Sequence, residues 1–209
     1  MCNLYRLKVP RDQLLLPMGI DRIATSQIAM EKDYSAPGKP GMIVREEGGR
    51  RVLDTMLWGF PENKRERKIK PKAGQSAYLY DWYTNARNLR LGMWSRWLET
   101  PAHRCLVPFT EFAEPKAAID RAAPDDLNWW FSVKGQPVAA FAGIWKVHPD
   151  AGPVYAFLTC APNDLIAPKH PKAMPVILAP EDYAAWLTGD YADACALALP
   201  FEAAQTAVV

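Results

Sequence analysis

The sequence is poor in the residues that staple a fold or hold a metal. Its four cysteines stand at 2, 105, 160 and 195, no two of them in C-x-x-C spacing, and there are only three histidines. Such spacing argues against a zinc site and against a disulfide framework, so no metal or cofactor is expected. No apolar run approaches the ~20 residues that cross a bilayer. The first residues lack the charged-then-apolar pattern of a secretory signal. Internal repeats, low-complexity tracts and a domain-splitting linker are also missing. The expectation is a soluble, reduced, cytoplasmic protein with no membrane association, taken as a monomer although the sequence itself does not set an oligomeric state. At 209 residues, 49% apolar and with 8 Trp, the chain has material for one full core, expected as a single domain over 1–209.

Charge is nearly balanced but unevenly placed. The net charge is +2, yet residues 179–209 hold five acids and no Lys or Arg. The other 18 acids face all 25 bases, leaving +7 on residues 1–178. The densest basic run is ENKRERKIKPK (62–72), within a loop expected over about 61–77. Taken alone such a run is a solvated loop. Beside aromatic platforms it becomes a rim for an anionic polymer.

The apolar pattern is mostly that of short strands. CNLYRLK (2–8) alternates with Leu4 and Arg6 on the face of Cys2. MIVREEGGRRVLDTMLWGF (42–60) reads as a hairpin about Gly48-Gly49. WWFSVKGQPVAAFAGIW (129–145) reads as a second hairpin about Lys134–Pro137, and RCLVPFTEFAEP (104–115) as a buried strand running into a turn. VYAFLTC (154–160) and MPVIL (174–178) are expected core strands. Leu91, Trp94 and Leu98 are spaced for one helix face, and Pro180 opens another helix from its first position. The class is α+β: curved, mainly antiparallel sheets with a barrel-like core and a few flanking helices.

Four polar residues interrupt or abut these strands: Cys2, Asn85 in TNAR, Glu114 in PFTEFAEP and His170 in KHPKAMPVIL. Each has a plain structural reading, as a terminal residue, a turn former, a surface acid and a loop histidine. Spacing alone does not bring them together.

The order of short motifs does more. An N-terminal Met-Cys is followed by W-G-F, N-A-R, R-C-L-x-P with Phe-x-Glu, A-G-I-W, and a His before M-P-V-I-L. From Cys2 to about Leu178 this order resembles the SRAP family (SOS response-associated peptidase). The resemblance implies a DNA-repair protein that traps abasic sites in single-stranded DNA covalently, nucleoid-associated when so engaged. By that likeness Cys2 is the nucleophile and Asn85, Glu114 and His170 complete the active site. Arg87 matches a DNA-contacting position, and Trp58 and Phe60 fall near an apolar wedge beside the lesion. Lys64, Arg65, Arg67 and Lys68 are candidate backbone contacts in the basic loop. The alternatives are a thiol peptidase acting on other proteins, and a non-covalent single-strand binder with an idle Cys2.

The chemistry has its own logic. An open-chain abasic sugar carries an aldehyde. An α-amine titrates near pH ~8 against ~10.4 for lysine, so a useful fraction is nucleophilic at neutral pH. Once Met1 is removed, Cys2 presents that amine and a thiol on adjacent carbons, the spacing needed to close a five-membered thiazolidine.

Three departures from the family pattern carry expectations. Asn3 and Leu4 stand where Gly and Arg are usual, leaving Arg6, one pleat further on, for the phosphate contact. Tyr34 in YSAPG stands where Asn is usual. His170 precedes Pro175 by five residues rather than three. That longer loop implies a His170 reaching the site through a water or after loop closure, with Glu114 as the principal acid and base.

Overall fold

The hairpin about Gly48-Gly49 forms. Both glycines take positive φ, 60° and 76°, a conformation that side-chain-bearing residues rarely adopt and that two-residue turns require. The computed structural model describes residues 2–24, 32–63 and 80–209. In chain order these give β1 (Leu4–Arg6), α1 (Asp12–Met18), β2 (Arg22–Ile23), β3 (Tyr34–Ser35), β4 (Pro40–Glu47), β5 (Arg50–Trp58), β6 (Phe60–Asn63), β7 (Tyr80–Tyr83) and β8 (Asn85–Ala86). There follow α2 (Gly92–Leu98), β9 (Arg104–Phe109), β10 (Glu111–Pro115), β11 (Asn128–Val133), β12 (Ala139–His148) and β13 (Gly152–Cys160). The chain ends with β14 (Met174–Pro175), β15 (Ile177–Leu178), α3 (Tyr183–Thr188), α4 (Tyr191–Ala196) and β16 (Thr206–Val208).

Five strands close a barrel in the order β5–β4–β9–β12–β13. Four of the seams are antiparallel or follow directly from hairpins. The last is a short parallel pairing of Leu57-Trp58 with Val154-Tyr155. A second sheet, β3–β1–β10–β11–β16, is antiparallel throughout and caps the barrel. The two share an aromatic core. Phe109 stacks on Phe141 at 3.9 Å, Phe112 meets both edge-on, and Tyr5 packs against Trp58 at 5.2 Å. The Tyr5 and Tyr155 hydroxyls meet at 2.5 Å at the barrel's centre. Gly41 makes the room, since a Cβ there would lie 1.9 Å from the Tyr155 oxygen and 2.3 Å from that of Tyr5.

The acidic C-terminal segment is tied to the barrel by a buried cation. Arg104 donates to the carbonyls of Leu98, Trp186, Gly189 and Asp190 at 2.7–3.1 Å. Its guanidinium satisfies orphan carbonyls at the ends of α2 and α3, where helix dipoles favour positive charge.

Three local expectations are corrected. Residues 129–145 do not form a hairpin: β11 pairs with β10 and β16, while β12 pairs with β9, β13 and β15. Every edge of both strands is occupied, so the Lys134–Pro137 turn carries the chain from one sheet to the other. RCLVPFTEFAEP is two strands, the barrel's β9 and the second sheet's β10, bent at Thr110. Leu91 is no helix-face residue; it is extended, caps α2 from outside and is 48% exposed, while Trp94 and Leu98 are buried as expected.

Candidate active site

The site sits where β12 and β13 part. Met174–Leu178 wedges between them, with β14 on β13, β15 on β12, and Val176 bonded to both through Ala142 and Leu158. On the other edge of β13, β8 lies parallel, with Asn85 opposite Phe157. This brings Asn85 beneath the N-terminal segment, and its Nδ2 donates to the Cys2 carbonyl at 3.0 Å and to Thr84 Oγ1 at 2.7 Å. Among the described residues its Oδ1 is buried with no hydrogen-bond partner.

Glu114 arrives by strand alternation. In β10 it shares a face with Phe112, which points into the core, so its carboxylate is carried inward and fully buried. Burial pushes its pKa up to about 7, because the charged form loses hydration. Cys2 has no exposed surface, and its Sγ lies 3.5 Å from the Leu4 carbonyl. Burial, and then the Glu114 charge, hold the thiol well above its usual range. The site therefore starts from a protonated thiol and a carboxyl poised between its two states.

His170 Nδ1 lies 2.9 Å from the Ala173 carbonyl and 3.4 Å from Glu114 Oε2. A carbonyl only accepts, so Nδ1 bears the proton and Nε2 is the basic nitrogen of the neutral ring. Burial lowers the His170 pKa while it raises that of Glu114. Both shifts favour neutral forms, so the contact is a carboxyl–imidazole pair rather than a fixed salt bridge near pH 7.

The expectation that a longer loop would set His170 back is corrected. Asn163, buried, accepts from Ile166 N through Oδ1 at 3.0 Å and donates to the Phe201 carbonyl at 2.7 Å and Thr206 Oγ1 at 3.2 Å. Backbone bonds from Lys169 and His170 to Ile166 O complete a tight turn. The extra residues are absorbed by a loop pinned to the C-terminal segment, and His170 reaches Glu114 directly.

Sequence reasoning overlooked Asn163 and Thr159. The Asn163 signal is the P-N-D turn tripeptide. Thr159 places a small hydroxyl in a mainly apolar strand, on the same face of β13 as Phe157 and therefore as Asn85. Its Oγ1 is buried with no hydrogen-bond partner among the described residues.

The DNA-facing candidates divide. Trp58 and Phe60 are corrected: both are essentially fully buried, Trp58 stacked on Phe157 at 5.0 Å and donating to the Thr84 carbonyl. They are core, not wedge. Arg6 lies on the face of the second sheet opposite Glu114, paired with Glu111 at 3.0 Å and 3.6 Å from the centre of the Trp130 ring. Alternation does not carry it to the face of Cys2, because the regular strand begins only at Leu4. Arg87 is exposed at the site's edge, where it donates to the Cys160 carbonyl. Lys64, Arg65, Arg67 and Lys68 lie outside the described residues.

A barrel capped by a sheet that delivers an N-terminal cysteine to a buried carboxyl and imidazole defines a compact α+β class. The chain belongs to the SOS response associated peptidase (SRAP) family, whose model matches residues 1–209. Membership associates it with the SOS response to DNA damage, and the family name carries a peptidase assignment. Two of the similar solved structures are a protein from Bordetella bronchiseptica (20% identity, TM-score 0.73, covering 100% of this chain and 99% of that one) and a protein from Bacteroides thetaiotaomicron (18%, 0.72, 100% and 92%). A phage-related protein from Bordetella bronchiseptica is a third (18% identity, TM-score 0.65, covering 100% of this chain and 93% of that one). These likenesses are of fold. No curated protein matches the chain significantly.

Proposed function

We propose that the protein captures abasic sites in single-stranded DNA covalently, through a thiazolidine formed by Cys2 after Met1 is removed. The observation that carries this reading is the setting of Cys2: its carbonyl is held by Asn85 and its buried thiol lies within the field of the Glu114 carboxylate, itself 3.4 Å from His170. The Cys2 amine attacks the sugar aldehyde to give a carbinolamine. Protonated Glu114 donates as hydroxide leaves, so one water is lost and an iminium remains. The thiol then adds to the iminium carbon. Its high proton affinity requires a base as the C–S bond forms, and the now-ionised Glu114, or Nε2 of His170, takes that proton. The ring nitrogen ends neutral, no electrons are exchanged, and the sum is aldehyde plus cysteine going to thiazolidine plus water.

Arg87 and the basic side chains Lys64, Arg65, Arg67 and Lys68 are the proposed partners of backbone phosphates. Cleavage of the Met1–Cys2 bond is the single peptide hydrolysis this reading needs, and it accords with the family's name. A denaturing gel with an abasic oligonucleotide tests the proposal. Wild-type protein should give a heat-stable adduct. Cys2→Ser should give at most a Schiff base trapped by borohydride, and a chain with an uncleaved N-terminal tag should give neither. A tagged chain that crosslinks normally would falsify the mechanism.

A further inference from the structure

With Trp58 and Phe60 buried, a base-stacking surface must come from another aromatic, and Trp129 is placed to supply it. Trp129 lies directly opposite Glu114 in the β10–β11 ladder. Antiparallel partners share a sheet face with Cβ atoms about 4.5–5.5 Å apart. The indole therefore starts one side chain away from the carboxyl, and unlike Trp58, Trp94 and Trp186 it is only partly buried. Two ammonium groups stand by its ring, Lys116 Nζ at 4.2 Å and Lys169 Nζ at 5.1 Å from the centroid. They differ in availability. Lys116 is committed to both carboxylate oxygens of Asp126, at 2.7 and 2.8 Å. Lys169, the residue before His170, has no acidic partner among the described residues.

We propose that Trp129 and Lys169 form a subsite for the nucleotide adjoining the lesion, the indole stacking on its base and the ammonium pairing with its phosphate. This rests on the single-stranded DNA reading given above. Lys169 and the indole hold each other in the free protein. A nucleotide that offers a phosphate to the ammonium and a π-face to the ring replaces that contact on both sides. Arg6 and Trp130 repeat the cation–aromatic pairing on the opposite face, but there Glu111 binds both Arg6 and Lys8. The positive charge available to an anion on the Glu114 side includes Lys169, the residue before His170.

The test is equilibrium binding of full-length protein to fluorescent single strands carrying tetrahydrofuran, an abasic analogue without an aldehyde. One strand has adenines flanking the analogue, and another has further tetrahydrofuran units in their place. Wild type should bind the adenine-flanked strand about tenfold more tightly, within the range of base–aromatic stacking. Trp129→Ala should erase that preference and Trp129→Phe should restore most of it. Lys169→Ala should weaken both strands and lower the salt slope by about one phosphate contact. A folded Trp129→Ala protein that keeps the preference, or a Lys169→Ala protein with an unchanged salt slope, overturns the subsite. The parent reading fails separately: base-dependent binding with no covalent adduct on aldehyde-bearing DNA sinks thiazolidine capture and leaves the subsite standing.

Discussion

Nδ1 of His170 lies 3.4 Å from Oε2 of Glu114 although the histidine precedes Pro175 by five positions. Two groups in contact that serve the same proton-transfer step are coupled. Glu114→Gln and His170→Ala should each slow adduct formation by ~10²–10⁴-fold, the usual loss for a general acid or base. The double variant should be little slower than the worse single one. Single-turnover time courses on abasic single strands measure this. Multiplying losses would mean that the two residues serve separate steps.

Glu114 also leaves a mark on stability. Its folded pKa, about 7, lies above the ordinary 4.5, so between these values the native state holds a proton that the unfolded chain releases. The contribution of Glu114 to stability therefore falls as pH rises from about 4.5 to 7 and stays level beyond, a change of roughly 3 kcal/mol from this group alone. Glu114→Gln removes the titration. Urea unfolding from pH 4 to 8 should show the variant gaining on wild type across that interval and holding its lead above it. A constant difference at every pH would rule out the raised carboxyl.

Asn85 fixes the Cys2 backbone through a single 3.0 Å bond from Nδ2. Asn85→Ala should free the N-terminal segment and slow ring closure by up to about 10²-fold, the penalty of misplacing a nucleophile by an ångström. The sign of that freedom is independent of DNA: alkylation of Cys2 by iodoacetamide should become faster. Unchanged alkylation would show that the segment is held by other contacts.

Gly41→Ala should destabilise without touching the site. The added methyl would meet the Tyr155 and Tyr5 hydroxyls at 1.9 and 2.3 Å, and overpacking of this kind costs about 1–3 kcal/mol. Calorimetry should find a melting temperature lower by roughly 3–10 °C. Adding Tyr155→Phe, which deletes the nearer oxygen, should recover part of the loss.

The short-range features were legible in the sequence, and the long-range ones were not. Gly48-Gly49 dictates a turn locally, so the β4–β5 hairpin could be read from residues alone. The four candidate residues stood out because a polar residue within or beside an apolar strand is costly unless it has work or partners. Trp58 and Phe60 were placed beside the lesion by resemblance alone, and alternation, which cannot tell which face of an apolar strand is inward, offered no check. Adjacency misled at β11 and β12, which look like hairpin arms but whose edges are filled by strands distant in sequence. The closure of the barrel by residues 57–58 and 154–155 leaves no trace in either segment.

That closure bears on how the proposed nucleophile would be freed. Cys2 has no exposed surface once the fold is complete, and the fold is complete only when β13 has joined β5 and β8. During synthesis the N-terminus leaves the ribosome long before β13 is translated. At about 5–20 residues per second, the delay is on the order of ten seconds. A separate aminopeptidase has that interval in which to take Met1. Afterwards the bond ends on a buried residue, and the folded chain must cut it by itself. Arresting translation before residue 152, or starving the cell of aminopeptidase activity, distinguishes a nascent-chain event from a self-processing one.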